Sequence, residues 1–132
     1  MSSTALIRIL SVDDHPLLRE SIAAIIESQP DMLLAASAPT GRDAIRLFRE
    51  LRPDVTLMDL RLPDMSGIDS MIAIRSEFPE ARIIMLTTFE GDADIKRALQ
   101  AGAHGYLLKS MPPRHLLDAV RQVARLARNG HE

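Results

Sequence analysis

Residues 55–67 read Val55-Thr-Leu-Met-Asp59-Leu-Arg61-Leu-Pro63-Asp-Met-Ser-Gly67. An apolar run rich in β-formers predicts a buried strand over Val55–Met58, and it stops at a carboxylate followed by turn residues. An acid where a buried strand ends is a candidate site. An isolated aspartate is more often a helix cap or a solvated strand terminus. The other strand ends decide between these readings.

Upstream, Leu6–Val12 predicts a strand ending at Asp13-Asp14, and Pro16 suits the first turn of a helix. That helix runs to about Ser28, with Leu18, Ile22, Ile25 and Ile26 on one face, and Pro30 closes it. Met32–Ala38 is a weaker second strand. Thr40, with Asp43 three residues on, is a capping signal for a helix carrying Ala44, Ile45, Phe48 and Leu51, and Pro53 precedes the central strand.

Downstream, a helix over about Ser66–Phe78 is expected to bury Ile68, Met71, Ile72 and Ile74. Arg82–Leu86 predicts a strand ending at Thr87-Thr88. Asp92–Gln100 predicts a helix with Ile95, Ala98 and Leu99 on one side, ended by Gly102. Gly105–Leu108 is a short strand ending at Lys109. After Pro112-Pro113, a last helix from about Arg114 to Arg128 is expected to bury Leu116, Leu117, Val120, Val123, Ala124 and Ala127. Five strands alternating with five helices specify an α/β fold, a parallel sheet covered on both faces.

The chain has 132 residues, of which 46% are hydrophobic, enough to fill one core and too few for two domains. Sixteen basic against eighteen acidic residues give a net charge of −2, so no nucleic-acid-binding surface is indicated. The absence of cysteine excludes disulfides and thiolate metal sites. Met1–Thr4 leads straight into a strand pattern without the features of a signal peptide. No apolar run approaches the roughly 20 residues that span a bilayer. A cytoplasmic protein with no membrane partner is expected.

Chemically competent residues fall at four strand ends: Asp13 and Asp14, Asp59, Thr87, and Lys109. In open parallel sheets ligands bind beyond the carboxyl ends of the strands, where strand order reverses. With the flavodoxin-like order 2-1-3-4-5, those four strands converge, while strand 2 lies at the far edge and ends without an ionisable group. Three clustered carboxylates need a cation, and oxygen ligation favours a hard one such as Mg²⁺. A carboxylate beside that ion can act as a nucleophile toward phosphorus, with the Thr87 hydroxyl and the Lys109 ammonium meeting the phosphoryl oxygens.

The acidic pair in Val-Asp-Asp-His-Pro, the segment Met-Asp-Leu-Arg-Leu-Pro-Asp-Met-Ser-Gly, Leu-Thr-Thr, and Ala-Gly-Ala-His-Gly-Tyr-Leu-Leu-Lys occur in this order across nearly the whole chain. Together they resemble the receiver domain of a two-component response regulator. The wording of Asp-Asp-His-Pro-Leu-Leu-Arg-Glu, Thr-Thr-Phe and Gly-Tyr-Leu-Leu-Lys is most similar to receivers that precede a LuxR/NarL-type helix-turn-helix domain.

The resemblance implies that residues 1–128 form the receiver and 129–132 a tail or the start of a linker. It implies that Asp59 takes a phosphoryl group from a sensor histidine kinase, the domain catalysing its own phosphorylation and dephosphorylation. Asp14 and Asp59 would ligate Mg²⁺ directly, the Arg61 backbone carbonyl would be a further ligand, and Asp13 would act largely through a water. Thr87 and Tyr106 would carry the switch on the surface of helix 4, strand 5 and helix 5. That surface, or helix 1 with helix 5, would serve a homodimer. DNA would be bound through a C-terminal domain absent from this chain, which itself binds no nucleic acid.

Some positions depart from the pattern or carry a plainer reading. Arg61 and Phe89 stand where this family modulates access to the phosphoryl group. Many receivers have proline after the lysine in a cis peptide, whereas Ser110 stands here, and a cis bond at Lys109-Ser110 would cost about 3 kcal/mol. His15 reads as a solvent-facing start to helix 1, with metal ligation as the alternative. Arg114, Arg121, Arg125 and Arg128 read as a solvated face. Two other classes remain open: a pseudo-receiver that only binds partners, and a Mg²⁺-dependent phosphatase of the haloacid-dehalogenase type. The phosphatase needs a second acid where Arg61 stands.

Overall fold

The computed structural model describes residues 6–88 and 93–129, the side chains of 127–129 excepted. Phe89 and Asp92 therefore lie outside the described residues, as do the side chains of Ala127 and Arg128.

The elements alternate along the chain as β1 (Ile7–Val12), α1 (Pro16–Glu27), β2 (Met32–Ala38), α2 (Gly41–Leu51), β3 (Val55–Asp59), α3 (Gly67–Glu77), β4 (Ile83–Thr87), α4 (Ala93–Gln100), β5 (Gly105–Leu108) and α5 (Pro113–Asn129). All four strand pairings are parallel and the order is β2-β1-β3-β4-β5, so the flavodoxin-like expectation is met. β3 and β4 each extend one residue further than their apolar runs, taking Asp59 and Thr87 into the sheet.

Two separate cores follow from the pleat, because successive strand residues point to opposite faces. Ile7, Ile9, Val55, Leu57, Ile84, Leu86 and Leu107 face one way and pack with Ile22, Ile26, Leu116, Val120 and Val123 of α1 and α5. Leu10, Val12, Met58, Ile83 and Met85 face the other way and pack with residues of α2, α3 and α4, among them Phe48, Met71 and Ala98. Each such side chain taken fully out of water contributes about 1.5–3 kcal/mol. This double burial explains why the strands read as continuous apolar runs.

Two helix faces differ from expectation. Ile72 is 47% exposed, because Ile68, Met71 and Ile74 centre the buried stripe of α3 about 100° away from it. Leu99, 43% exposed, is likewise displaced to the edge of the α4 stripe set by Ile95 and Ala98. Arg121, partly exposed, is also held by partners: its guanidinium grips both Asp31 carboxylate oxygens at 2.8 and 2.9 Å and Gln29 Oε1 at 2.7 Å, tying α5 to the start of β2. Arg114 and Arg125 are exposed as expected.

The turns before α2 and α3 are held by side chains. Thr40 caps α2 by accepting from Asp43 N at 3.1 Å, as its spacing predicts. Ser66 caps α3, its Oγ accepting from Ile68 N at 3.0 Å and Asp69 N at 3.3 Å. No cis peptide bond occurs among the described residues, so Lys109-Ser110 is trans. No helix among them is long and apolar enough to cross a membrane.

Candidate functional site

The carboxyl end of the sheet gathers the charged residues. Carrying the pleat one step past β1 and β5 puts Asp13, Asp59 and Lys109 on the same face as Ile9, Leu57 and Leu107. The side chains meet accordingly. Lys109 Nζ donates to Asp59 Oδ2 at 2.9 Å and lies 3.2 Å from Asp13 Oδ2, the latter contact an ion pair rather than a directed hydrogen bond. Asp13 is fully buried and Asp59 nearly so, while Asp14 beside them is exposed.

These surroundings set the charges. Burial pushes the Asp59 carboxyl above the ordinary carboxylate range; Lys109 opposes the shift without cancelling it, and the Asp13 charge adds to it. Burial alone would lower the Lys109 pKa, but the hydrogen bond and charge of Asp59, with the charge of Asp13, raise it on balance. The ammonium is therefore held on, and it is one cation set between two buried carboxylates.

Asp59 is also fixed from behind. Its Oδ1 accepts from Arg61 N at 3.2 Å, and the next residue, Leu60, donates from N to Leu86 O of β4 at 2.9 Å. The loop then returns on itself through Gly67 N to Leu60 O at 2.8 Å and a bridge between Arg61 and Ser66. A Cβ at Gly67 would lie 2.0 Å from the Asp59 carbonyl oxygen, so glycine here is a packing requirement as well as a turn signal. Asp64, in the same loop, accepts from Gly41 N at 2.8 Å and Arg42 N at 3.0 Å and ties the loop to the start of α2. Pro63 is an exposed residue of this loop.

Thr87 ends β4 one strand over, buried, with its carbonyl accepting from Lys109 N at 2.8 Å. Its parity is that of Ile83 and Met85, so its side chain leaves the sheet on the face opposite to that of Asp59. The Arg61 side chain turns outward and pairs with Asp94 of α4 at 3.3 Å, where Arg97 also pairs at 2.7 Å. With Leu60, Leu62, Ser66 and Ile68 these residues line a cleft of about 300 Å³ beside the Asp59 loop. Tyr106 is half-buried on β5, paired in register with Met85 and packed against the core on the side of α2, α3 and α4.

The site thus assembles Asp13, Asp14, Asp59 and Lys109, with Thr87 and the Arg61 backbone at its margin. One residue emerges that the sequence did not single out for a role here, and another takes up both of its sequence readings. Arg19 of α1 donates to Asp13 O at 2.8 Å and steadies the turn after β1. His15, expected to face solvent, does expose its ring, yet its Nδ1 lies 3.0 Å from Asp13 Oδ1 and 3.2 Å from Asp14 Oδ1. Its place beside the acid pair in the sequence is what raised metal ligation as the alternative to a solvent-facing role.

One carboxylate oxygen from each of Asp13, Asp14 and Asp59, with a His15 ring nitrogen, lie within 4.8 Å of one another. Asp13 Oδ2, sealed from water, makes no hydrogen bond. An oxygen-rich cluster with buried, uncompensated negative charge fits a hard divalent cation.

Comparison with known proteins agrees with this geometry. Residues 9–121 match the family model of the response regulator receiver domain. Among curated proteins, the transcriptional regulatory protein YxjL of Bacillus subtilis is 42% identical over 90% of this chain and 55% of its own length. The response regulator protein VraR of Staphylococcus aureus is 37% identical over 90% of this chain and 57% of its own. The chain thus spans little more than half the length of these relatives. Among solved structures, a LuxR-family two-component response regulator from Aurantimonas superposes with a TM-score of 0.86 at 41% identity, covering 93% of this chain and 86% of that one. The signal receiver domain of the putative response regulator NarL from Mycobacterium tuberculosis gives 0.87 at 31% identity, covering 92% and 98%.

Proposed function

The chain belongs to the response regulator receiver family, and on that premise we propose that Asp59 accepts a phosphoryl group from a sensor histidine kinase and that the domain itself promotes the transfer. The observation that carries this reading is the contact between Lys109 Nζ and Asp59 Oδ2 at 2.9 Å, at the mouth of a sheet where Asp13 and Asp14 also converge.

In the transfer, the bond between phosphorus and the kinase imidazole nitrogen breaks as one Asp59 oxygen bonds to phosphorus. The imidazole keeps the electron pair and takes up a proton. Arg61 N and Lys109 hold the carboxylate in one orientation, so little entropy is lost at the moment of attack. Lys109, its ammonium stabilised by two carboxylates, stays charged and moves to the phosphoryl oxygens. The Thr87 hydroxyl donates to the same group. Asp13, Asp14 and Asp59, with the Arg61 carbonyl, would hold Mg²⁺, which when bound supplies positive charge for the carboxylates and the incoming phosphoryl oxygens.

The consequence is a population shift, with Thr87 drawn toward the phosphoryl group and Tyr106 repositioned on the surface of α4, β5 and α5. That surface, or α1 with α5, is available to a second copy. YxjL is described as a transcriptional regulatory protein and the Aurantimonas neighbour as a LuxR-family response regulator, and the output carried over to this chain is control of transcription in the cytoplasm through a DNA-binding domain other than residues 1–128.

The test is to incubate the protein with Mg²⁺ and a small phosphodonor such as phosphoramidate and weigh it. A gain of one phosphoryl group that D59N abolishes is expected. No gain in the wild type overturns the reading.

A further inference from the structure

We infer that His15 is a nitrogen ligand of the cation bound at the acid pair and makes this site favour Mn²⁺ over Mg²⁺ more strongly than carboxylates alone would. The inference rests on the metal-dependent reading of Asp13, Asp14 and Asp59.

The argument begins with the backbone. His15 precedes Pro16, which confines it to extended conformations, and it has φ −92° and ψ 113°. Its N–H donates to Asp13 Oδ1 at 2.8 Å. The base of the side chain is therefore fixed over the carboxylates, and the ring needs only its own two torsions to face them.

Nδ1 then falls 3.0 Å from Asp13 Oδ1 and 3.2 Å from Asp14 Oδ1. In octahedral coordination with ligand bonds of about 2.1 Å, adjacent ligand atoms are about 3.0 Å apart. Both spacings match that edge. The distances also suit hydrogen bonds from Nδ1–H to the carboxylates, which is the arrangement expected with no ion between them. Ligation requires only that the proton sit on Nε2, and the exposed ring leaves that atom open to water. Ring and acids thus form a set that one ion can draw together without moving the backbone.

The chemistry gives the specificity. Mg²⁺ takes oxygen ligands, whereas an imidazole nitrogen suits transition metals. A set of carboxylates with one imidazole should bind Mn²⁺ preferentially, and removing the nitrogen should cost Mn²⁺ more than Mg²⁺. Asparagine at residue 15 keeps a polar group near the place of Nδ1 without supplying an aromatic nitrogen, so H15N separates ligation from hydrogen bonding.

The experiment titrates the whole chain with Mn²⁺ and with Mg²⁺ by calorimetry and records pulsed electron paramagnetic resonance of bound Mn²⁺, for wild type, H15N and D14N. Expected are ¹⁴N modulation from one imidazole in the wild type, its loss in H15N, and a fall of about tenfold in the ratio of Mg²⁺ to Mn²⁺ dissociation constants in H15N. Absence of nitrogen coupling in a wild type that binds Mn²⁺, or the same ratio in H15N, overturns the role of His15 alone. Mn²⁺ binding unchanged in D14N shows that the acid pair is not the site and overturns the metal-dependent reading as well.

Discussion

Gly67 lies so close beneath Asp59 that a Cβ added to it would stand 2.0 Å from the Asp59 carbonyl oxygen and 3.1 Å from Leu60 Cα. The obstacle is backbone of a central strand, which cannot swing aside as a side chain can. Gly67→Ala is expected to cost about 1–3 kcal/mol, the usual range for forced overpacking. It also displaces Asp59 from Lys109. Urea denaturation measures the first effect, and the rate of Asp59 phosphorylation measures the second. A variant as stable as the wild type with an unchanged rate would show that the two backbones are not in contact.

Asp64 predicts a second effect of the same loop. Its carboxylate accepts from the first two N–H groups of α2, which have no partner within the helix. Burial would raise its pKa, but the bonds from Gly41 and Arg42 prevail and hold it below the usual carboxylate value of 3.8. The stabilisation is present above that value and is lost as pH falls through the lower pKa of the folded state. Asp64→Ala should cost about 1 kcal/mol at neutral pH, as loss of a cap does. The gap between variant and wild type in urea melts should close in strong acid.

His104 sets the opposite end of the sheet. Half-buried, with Nδ1 accepting from Ile83 N at 3.4 Å, it has its pKa lowered from 6.5 first by burial and then by the charges of Arg82 and Arg75. The unfolded chain therefore binds a proton more tightly than the folded one. Stability attributable to His104 is complete above 6.5 and falls as pH drops toward the folded value, by at most about 1.4 kcal/mol per pH unit. Urea midpoints measured across this window should decline more steeply for the wild type than for H104Q. Parallel curves would remove His104 as the cause.

The strand ends were legible in the sequence because β-formers stop abruptly at Asp13, Asp59, Thr87 and Lys109. Which way each residue points was not. A strand buried on both faces reads as an unbroken apolar run, so the alternation that puts Asp59 with Lys109 and Thr87 on the other parity is invisible until the helices are in place. Asp64 and Arg121 were illegible for another reason. Each acts on an element distant in sequence, Asp64 on Gly41 and Arg121 on Asp31, and no local pattern encodes such partners. Ile72 and Leu99 show the limit of apolar periodicity, which marks a stripe but not its edge.

The last prediction concerns the cost of the site itself. Asp59 has its pKa raised by burial, with Asp13 adding repulsion, so ionised Asp59 opposes folding at neutral pH in the absence of a divalent cation. The sign is the reverse of that for Asp64: the penalty is full above the raised folded pKa and is relieved as pH falls through it. Asp59→Asn removes the charge while keeping an oxygen that can accept from Lys109. In chelator it should therefore unfold at higher urea than the wild type at neutral pH, with the difference shrinking as the solution is acidified. Mg²⁺ acts on the same imbalance from the other direction. At a hundred times its dissociation constant it should stabilise the wild type by about 2.7 kcal/mol, and D59N and D14N by less. A D59N variant less stable than the wild type in chelator would mean that the ion pair with Lys109 outweighs burial, and that the site is built for stability before it is built for phosphoryl transfer.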